Sequence, residues 1–368
     1  MPHHPIAMNP PEHPIHYPLG DTLPAQGATL EVASGIRWIR MGLPFLFDHI
    51  NLWLLRDRQP DTAGNMRDGW TVIDCCIDST ASRAQWEQVF ANSLEGLPIL
   101  RVIVTHMHPD HIGLAHWLCT RWQADLWISI TDYCAAKIGI HERDGFDGPA
   151  SANFYALHGA QDEEFLDHVR GHGSFYRSLV PALPAHFHRL MDADRIEIGG
   201  RIWRCISGYG HAPEHISLYS ADLSILISGD MVLPRISTNV SVHALEPQAD
   251  ALRIFLASLQ RYLELPPETL VLPAHGKPFT GLHARIGQLQ ELHRDRLREI
   301  IDASSAGRPL SAADVMPILF KRKLDTHQMS FAMGEALAHL HLLWYDGQLQ
   351  RSLDTQGVHR FHQRRAPD

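Results

Sequence analysis

A cluster of metal-binding residue types follows a short apolar segment, and this cluster constrains the fold more than any other feature of the chain. The segment LRVIVTHMHPDH, residues 100–111, begins as a buried strand and ends in His106, His108, Asp110 and His111. His106 and His108 are two positions apart, so both imidazoles face the same side of an extended backbone. Imidazole nitrogen and carboxylate oxygen are common zinc ligands. The sequence therefore predicts a metal site at the end of this strand.

Three further polar residues lie beside predicted strands. His211 lies in the glycine-bounded segment GYGHAPEH, Asp230 ends the apolar strand ILISGD, and His275 ends the strand LVLPAHG. A carboxylate or an imidazole at the end of a buried run needs a partner that offsets the loss of water, and a metal ion is a suitable one. We therefore predict that seven side chains ligate metal: His106, His108, Asp110, His111, His211, Asp230 and His275.

Strand and helix patterns alternate through most of the chain. Alternating apolar residues predict strands over 35–43, 49–57 and 70–78, and the last of these strands would include Cys75 and Cys76 on opposite faces. Further strand signals appear over 195–230, and amphipathic helices lie between the strands; for the first of them, over 82–94, Ser82 is the predicted N-cap. This rhythm predicts an α/β chain built of two halves packed face to face.

The composition varies along the chain and indicates three parts. Residues 1–24 are rich in proline and histidine and predict an irregular arm. Residues 25–281 would form the catalytic domain, in which 132–190 is a mostly helical insertion. Residues 282–368 would form a separate C-terminal domain of three helices and a hairpin around Gln356–Gly357. The aromatic residues of the insertion are expected in its core, with a pocket wall as the alternative: Phe154, Tyr155, Phe165, Phe175, Tyr176 and Phe187.

The net charge indicates which partners the protein can bind, and the cysteine content indicates its cellular compartment. The 368 residues carry a formal net charge of −9, which disfavours nucleic acid and anionic membranes as partners. There is neither a run of 18 apolar residues nor the basic and apolar pattern of a secretory signal, so we expect a cytoplasmic protein with no membrane partner. The five cysteines lack CxxC spacing and suit a reducing compartment. A small-molecule substrate is the expected partner, and a homo-oligomer is compatible with the sequence.

The four motifs THMHPDH, GHAPEH, SGD and PAHG, in this order, resemble the metallo-β-lactamase superfamily over about residues 35–285. The resemblance implies an αββα sandwich and two divalent metal ions. Zinc is the expected metal, and manganese and iron are the alternatives. It implies that the first metal is held by His106, His108 and His211, the second by Asp110, His111 and His275, and that Asp230 bridges both.

At two positions the chain differs from well-known members of the superfamily, and these differences limit the activities that the resemblance implies. The best-known β-lactamases carry a cysteine at the position of Asp230, and flavodiiron proteins carry a glutamate at the position of His108. The pattern is instead similar to glyoxalase II-like thioesterases, lactonases and phosphodiesterases. The tail, with HRDRLREI and AHLHLLWYDGQLQR, resembles the C-terminal winged-helix module of the β-lactamase-like endoribonuclease group.

The expected activity is hydrolysis of an ester or thioester, for example an acyl-CoA, by a hydroxide that bridges two metals. Asp110 would be both a ligand and a catalytic residue that orients the nucleophile. Asp74 is a candidate to accept a hydrogen bond from a ligand histidine, and a strand-end cap is the alternative. No residue is assigned to substrate binding, although Asn51 and Asn239 are possible contacts. The alternative functions are an endoribonuclease or other phosphodiesterase, a mononuclear iron enzyme like the persulfide dioxygenases, and a metal-stabilised regulatory protein.

Overall fold

The computed structural model describes residues 14–45, 48–61, 63–142, 146, 148–304 and 308–363. The strands within these ranges are β1 (Leu30–Ala33), β2 (Ile36–Gly42), β3 (His49–Pro60), β4 (Met66–Ile73), β5 (Ile99–Ile103), β6 (Asp125–Ile128), β7 (His188–Arg189), β8 (Arg195–Ile198), β9 (Arg201–Gly208), β10 (His215–Ser220), β11 (Ile225–Gly229), β12 (Leu270–Pro273), β13 (Leu349–Leu353) and β14 (His359–Gln363). The helices are α1 (Thr80–Asn92), α2 (Pro109–Ile112), α3 (Ala115–Trp122), α4 (Ile130–His141), α5 (Pro149–Leu157), α6 (Glu163–Gly171), α7 (Phe175–Leu179), α8 (Ala251–Tyr262), α9 (Leu282–Ser304), α10 (Ala312–Leu319) and α11 (Thr326–Tyr345).

Two main sheets organise the described part of the chain. The first has the strand order β1-β2-β3-β4-β5-β6-β7, and the second has the order β12-β11-β10-β9-β8. In the first sheet β1 to β4 pair antiparallel, whereas β4 to β7 pair parallel and are connected by helices. In the second sheet only the β11–β12 pair, among the pairs described, is parallel. The carboxyl ends of β9, β11 and β12 therefore lie at one edge of the second sheet.

Successive side chains along a strand point to opposite faces of the sheet, so the apolar side chains of one strand enter two separate layers. Trp38 and Trp53 point between the two sheets, where they meet Trp203 of the second sheet, whereas Ile39 and Leu52 point outward. The outward face of the first sheet is covered by α1, α3 and α4, and that of the second sheet by helices that include α8, α9 and α11. The layers are thus helix, sheet, sheet and helix, and the predicted αββα sandwich is confirmed.

The predicted strand over 70–78 is wrong beyond Ile73. Asp74 and Cys76 have φ angles of 63° and 71°, which turn the backbone out of the sheet. The turn allows the N–H of Cys75 to donate to the carbonyl of His111 across 2.7 Å. Both cysteines then enter the same hydrophobic cluster instead of opposite faces. Helix α1 also begins earlier than predicted, because Ser79, and not Ser82, accepts the capping hydrogen bond.

The C-terminal part consists of α9, α10, α11 and the antiparallel hairpin β13–β14, in the predicted order. Its apolar residues do not form a separate core. They share one hydrophobic cluster with α8 and with the insertion helices α5 and α6. At the other terminus His16 pairs with Thr280 through a β-bridge, while residues 1–13 of the predicted arm lie outside the described residues. Among the described helices, none has the length and apolarity that crossing a bilayer requires.

Candidate metal centre

All seven predicted ligands lie at one edge of the sandwich, each just beyond a strand. His106 and His108 follow β5, and Pro109 then starts the short helix α2, which carries Asp110 and His111. A second set of segments completes the site: His211 lies between β9 and β10, Asp230 directly follows β11, and His275 follows β12. The strand ends are held by the sheets, so the side chains that follow them converge without depending on long loops.

Three imidazoles form the first half of the site. Nε2 of His106 lies 2.9 Å from Nδ1 of His108, and Nε2 of His211 lies 3.1 Å and 3.2 Å from Nδ1 of His108 and Nε2 of His106. Asp230 Oδ2 is 3.2 Å from Nε2 of His211. Ligands about 2.0–2.1 Å from a tetrahedral zinc ion lie roughly 3.3 Å from one another. The observed spacing therefore suits one such ion.

Asp110, His111 and His275 form the second half. Asp110 Oδ2 lies 3.3 Å from Nε2 of His275 and 3.7 Å from Nε2 of His111. Asp230 faces this half as well, with its carboxylate oxygens 3.5 Å from Nε2 of His275 and 3.7 Å from Nε2 of His111. Within each half the candidate ligand atoms all lie within 4.8 Å of one another. Asp230 is thus the residue that adjoins both halves.

Hydrogen bonds at the far side of three rings direct the predicted ligand nitrogens toward the centre of the site. Nδ1 of His111 donates to Asp74, Nδ1 of His211 donates to the carbonyl of Asn239, and Nδ1 of His275 donates to the carbonyl of His49, each across 2.8 Å. A ring that donates from Nδ1 keeps the lone pair on Nε2, which is the atom that faces the centre. These partners fix both the tautomer and the orientation of each ring.

The protonation states of the side chains around the centre suit the binding of a cation there. Burial, together with neighbouring His211, lowers the pKa of His108 to about 3, so this imidazole is neutral. Burial would raise the pKa of Asp110, but His111 and His275 lower it to about 2, so this carboxylate is ionised. Neutral imidazole and ionised carboxylate are the forms that bind metal. Burial would lower the pKa of His111 and of His275, but the neighbouring carboxylates raise it, so these two rings hold a proton that a metal cation would displace. Within the described residues, Nε2 of His111 and Oδ1 of Asp230 are also buried without a hydrogen-bond partner, which a cation would supply.

Asp74 lies where the sequence suggested, behind a predicted ligand histidine, His111. Besides His111, its carboxylate accepts from the N–H of Thr105 at 2.8 Å and from the Thr105 hydroxyl at 2.9 Å. Because that hydroxyl donates to Asp74, its oxygen is free to accept from Nδ1 of His106, 3.0 Å away. Asp74 therefore supports one histidine of each half, directly or through Thr105.

His215 contributes to the site although no role was predicted for it. It is fully buried, and its Nε2 accepts from the N–H of Asp230 across 3.1 Å. Gly229 makes this approach feasible: its φ is +51°, and an added Cβ would lie 2.2 Å from Nε2 of His215. The second histidine of GHAPEH was the available signal, but only the fold shows which backbone group it meets.

Asp132 is the second residue that the sequence did not reveal. Its carboxylate accepts from the N–H of Met107 at 2.8 Å and from the N–H of Glu214 at 2.6 Å. It therefore ties the loop of His106 and His108 to the loop that carries His211. Burial is the main reason that the pKa of Asp132 is raised to about 6. The segment SITD could have indicated a helix start at Ser129, but not these two distant backbone partners.

The asparagines considered for substrate contacts are engaged elsewhere. Asn51 is buried and donates to the carbonyls of Pro273 and Gly276, so it fixes the turn around His275. The side chain of Asn239 donates a hydrogen bond to Glu335 and accepts one from the hydroxyl of Ser241. The aromatic residues of the insertion mostly pack in the core, as expected: Phe154, Tyr155, Phe165 and Tyr176 are buried. The Tyr176 hydroxyl also donates to the carbonyl of Met107, between two predicted ligands.

The comparisons with known proteins agree with this geometry. A family model described as "Metallo-beta-lactamase superfamily" matches residues 65–275. The chain belongs to the metallo-beta-lactamase superfamily. It is a metallo-hydrolase of this superfamily with a His/Asp cluster suited to binding metal. A second model, "Metallo-beta-lactamase-like, C-terminal domain", matches residues 297–364. The tail is therefore a C-terminal domain of metallo-beta-lactamase-like proteins, whereas the winged-helix assignment stays a prediction.

Three relatives extend over most of the chain. The crystal structure of a beta-lactamase domain protein from Burkholderia ambifaria is 51% identical, with a TM-score of 0.88, and the match covers 95% of this chain and 98% of that one. A metallo-beta-lactamase family protein from Thermus thermophilus is 24% identical with a TM-score of 0.74, covering 91% of this chain and 100% of that one. The "Probable metallo-hydrolase YqjP" of Bacillus subtilis is 25% identical over 335 residues, covering 83% of this chain and 91% of YqjP.

Proposed function

We propose that this metallo-hydrolase holds two divalent metal ions, with zinc as the expected metal, and cleaves a carboxylic ester or thioester. The observation that carries the proposal is the position of Asp230, whose carboxylate adjoins both halves of the centre, 3.2 Å from Nε2 of His211 and 3.5 Å from Nε2 of His275. His106, His108 and His211 would hold one ion. Asp110, His111 and His275 would hold the other, and Asp230 would contact both. Two such ions supply a water of lowered pKa and polarise the carbonyl of the substrate.

The chain's own residues would do the remaining work. Asp110 is an ionised carboxylate whose Oδ2 lies 3.3 Å from Nε2 of His275, and we assign it to orienting the attacking water as well as binding metal. Asp74 and the carbonyls of Asn239 and His49 hold the ligand rings in the required tautomers. The surrounding residues are buried, which strengthens these electrostatic interactions relative to water.

Charge distribution favours an ester or thioester over a phosphodiester of RNA. Arg360 pairs with Asp314 and Asp354, and Lys321 pairs with Glu299. Paired cations interrupted by acids are unlike the continuous basic track of a nuclease. A small molecule is therefore the proposed substrate and nucleic acid the disfavoured one. Two further arginines near the C-terminus, Arg364 and Arg365, lie outside the described residues.

The test is metal content combined with a substrate panel. Purified protein is analysed by mass spectrometry for bound metals and assayed with p-nitrophenyl esters, acyl-CoA thioesters, lactones and bis-p-nitrophenyl phosphate. We expect two ions per chain and turnover of an ester or thioester. Two ions with turnover of the phosphodiester alone would establish the alternative, a phosphodiesterase. One iron per chain with oxygen consumption on persulfides would replace hydrolysis by the dioxygenase alternative.

A further inference from the structure

The segment from Asp230 to Val242 connects the candidate metal centre with the C-terminal helices. Within it, the Thr238 hydroxyl donates to the carbonyl of Asp230. The carbonyl of Asn239 accepts from Nδ1 of His211 across 2.8 Å. Two of the seven predicted ligands are thus positioned by this one segment, and its own support becomes a property of the centre.

Helices α9 and α11 provide that support through backbone groups. Arg285 of α9 donates to the carbonyls of Leu233 and Ile236 at 2.6 Å and 2.7 Å. On α11 the carbonyl of Gly334 accepts from the N–H of Val242 at 3.1 Å. The approach is close, because a Cβ on Gly334 would lie 2.6 Å from the side chain of Ser241. The C-terminal helices therefore contact the segment at both of its ends.

A buried ion pair fixes the middle of the segment. Glu335 of α11 is only 4% exposed, and its carboxylate accepts from Arg296 of α9 and, across 3.3 Å, from the amide of Asn239. The amide oxygen of Asn239 accepts from the Ser241 hydroxyl at 2.7 Å. Both ends of the Asn239 side chain are therefore held. This constrains the peptide carbonyl of the same residue, which is the group that His211 contacts.

We propose that Glu335 is a positioning residue for the metal centre and acts on His211 through Asn239. The inference rests on the metal centre proposed above and extends it to the C-terminal domain, which would then control metal affinity. With Asn239 held, His211 keeps its proton on Nδ1 and directs Nε2 toward His106 and His108. A pair that served only the packing of α9 on α11 would affect folding stability and leave metal binding unchanged.

The experiment compares Glu335→Gln with the matched control Asp57→Asn in the full-length chain. Each substitution replaces a buried carboxylate beside an arginine by an amide, but Asp57 pairs with Arg101 and lies outside the metal centre. Zinc affinity is measured by competition with a chromophoric chelator, and the absorption spectrum of the Co²⁺-substituted protein reports ligand geometry. We expect Glu335→Gln to bind one of the two ions about 10- to 100-fold more weakly and to shift the Co²⁺ bands. Asp57→Asn should bind and absorb like the wild type.

Asn239→Ala gives a second, milder variant that leaves the pair of Glu335 and Arg296 in place. It should reproduce the affinity loss and the spectral shift, and it carries the test where Glu335→Gln does not fold. Wild-type affinity and spectrum in the folded variants would overturn the proposed role of Glu335. A wild-type chain that binds neither ion would instead overturn the metal centre, and this inference with it.

Discussion

Asp74 accepts a hydrogen bond from Nδ1 of His111 across 2.8 Å, in a place where both side chains are almost completely buried. The same carboxylate accepts from the N–H and the hydroxyl of Thr105. One residue at the end of β4 therefore holds the ring of a predicted ligand and the start of the loop that carries two others. The positive φ of Asp74 belongs to this arrangement, because it turns the chain out of the sheet at that point.

Replacing Asp74 by asparagine should weaken metal binding without removing a ligand. The amide offers one acceptor oxygen for three donors, so His111 loses its fixed tautomer or Thr105 loses its partner. We expect metal affinity to fall about 10- to 100-fold, measured by zinc titration. Asp78→Asn, in the same segment but paired with Arg83, is the control and should bind zinc normally. Unchanged affinity in Asp74→Asn would exclude this role.

Replacing Asp230 by alanine should remove the carboxylate that adjoins both halves. We expect the metal content of the purified protein to fall and hydrolysis to be abolished, since the two ions would lose their shared ligand. Mass spectrometry and the ester assay measure the two effects. Asp222→Ala, an exposed position on the turn between β10 and β11, should leave both unchanged. Full metal content with near wild-type turnover would show that Asp230 is no bridge.

Replacing Asp132 by asparagine should loosen the connection between two ligand loops. One of the two backbone N–H groups, of Met107 or Glu214, would lose its acceptor, and leaving a buried donor unsatisfied costs about 1–3 kcal/mol. Unfolding in denaturant should show this loss, and zinc titration should show weaker binding. Asp125→Asn, an exposed residue, serves as the control. Equal stability and equal affinity in Asp132→Asn would contradict the proposed connection.

The residues of the centre were predictable from the sequence because each follows a recognisable apolar strand. Strand ends at the same edge of the sandwich meet in space, so His106 of the first sheet could be grouped with Asp230 and His275 of the second without knowing the loops. The strand pattern predicted two α/β halves packed face to face, whereas the order of the four layers was implied by the resemblance to the superfamily. Buried residues on both faces of β2 and β3 agree with that order, because each sheet is covered on both sides.

The supporting residues could not be predicted, because their partners are backbone groups or side chains far away in the chain. Asp132 accepts from Met107 and Glu214, and Glu335 reaches Asn239. No spacing rule encodes such contacts. The end of β4 was missed for a related reason: WTVIDCCID remains apolar after the strand ends, and only the contact of Asp74 with the histidine loop shows why the chain turns there.

The buried ion pair of Asp57 and Arg101, which lies away from the metal centre, should make the free energy of unfolding depend on pH. Burial would raise the pKa of Asp57, but hydrogen bonds from Arg101 and Thr71 bring it below its ordinary value. A lowered pKa in the folded state means that this contribution is present above the ordinary pKa of about 3.9 and is lost as the pH falls through the folded value.

Asp57→Asn therefore should destabilise the protein at neutral pH by about 3–5 kcal/mol, because it leaves the buried charge of Arg101 without its carboxylate partner. The difference in unfolding free energy from the wild type should shrink as the pH falls below about 4. Denaturant unfolding at several pH values measures it, and Asp68→Asn, which is exposed, should show no such trend. A difference that is constant with pH would contradict the assignment.

Removing residues 282–368 should prevent the remaining chain from folding. Phe255 and Leu259 of α8 are fully buried in a cluster that includes Leu289, Leu337 and Leu340 of the C-terminal helices. Exposing a side chain of this kind costs about 1.5–3 kcal/mol, so several together exceed a typical total stability of about 5–15 kcal/mol. We expect residues 1–281 to lack near-ultraviolet circular dichroism and a cooperative thermal transition. Supplying 282–368 as a separate chain should restore both in part, whereas cooperative unfolding of 1–281 alone would show that the shared core is dispensable.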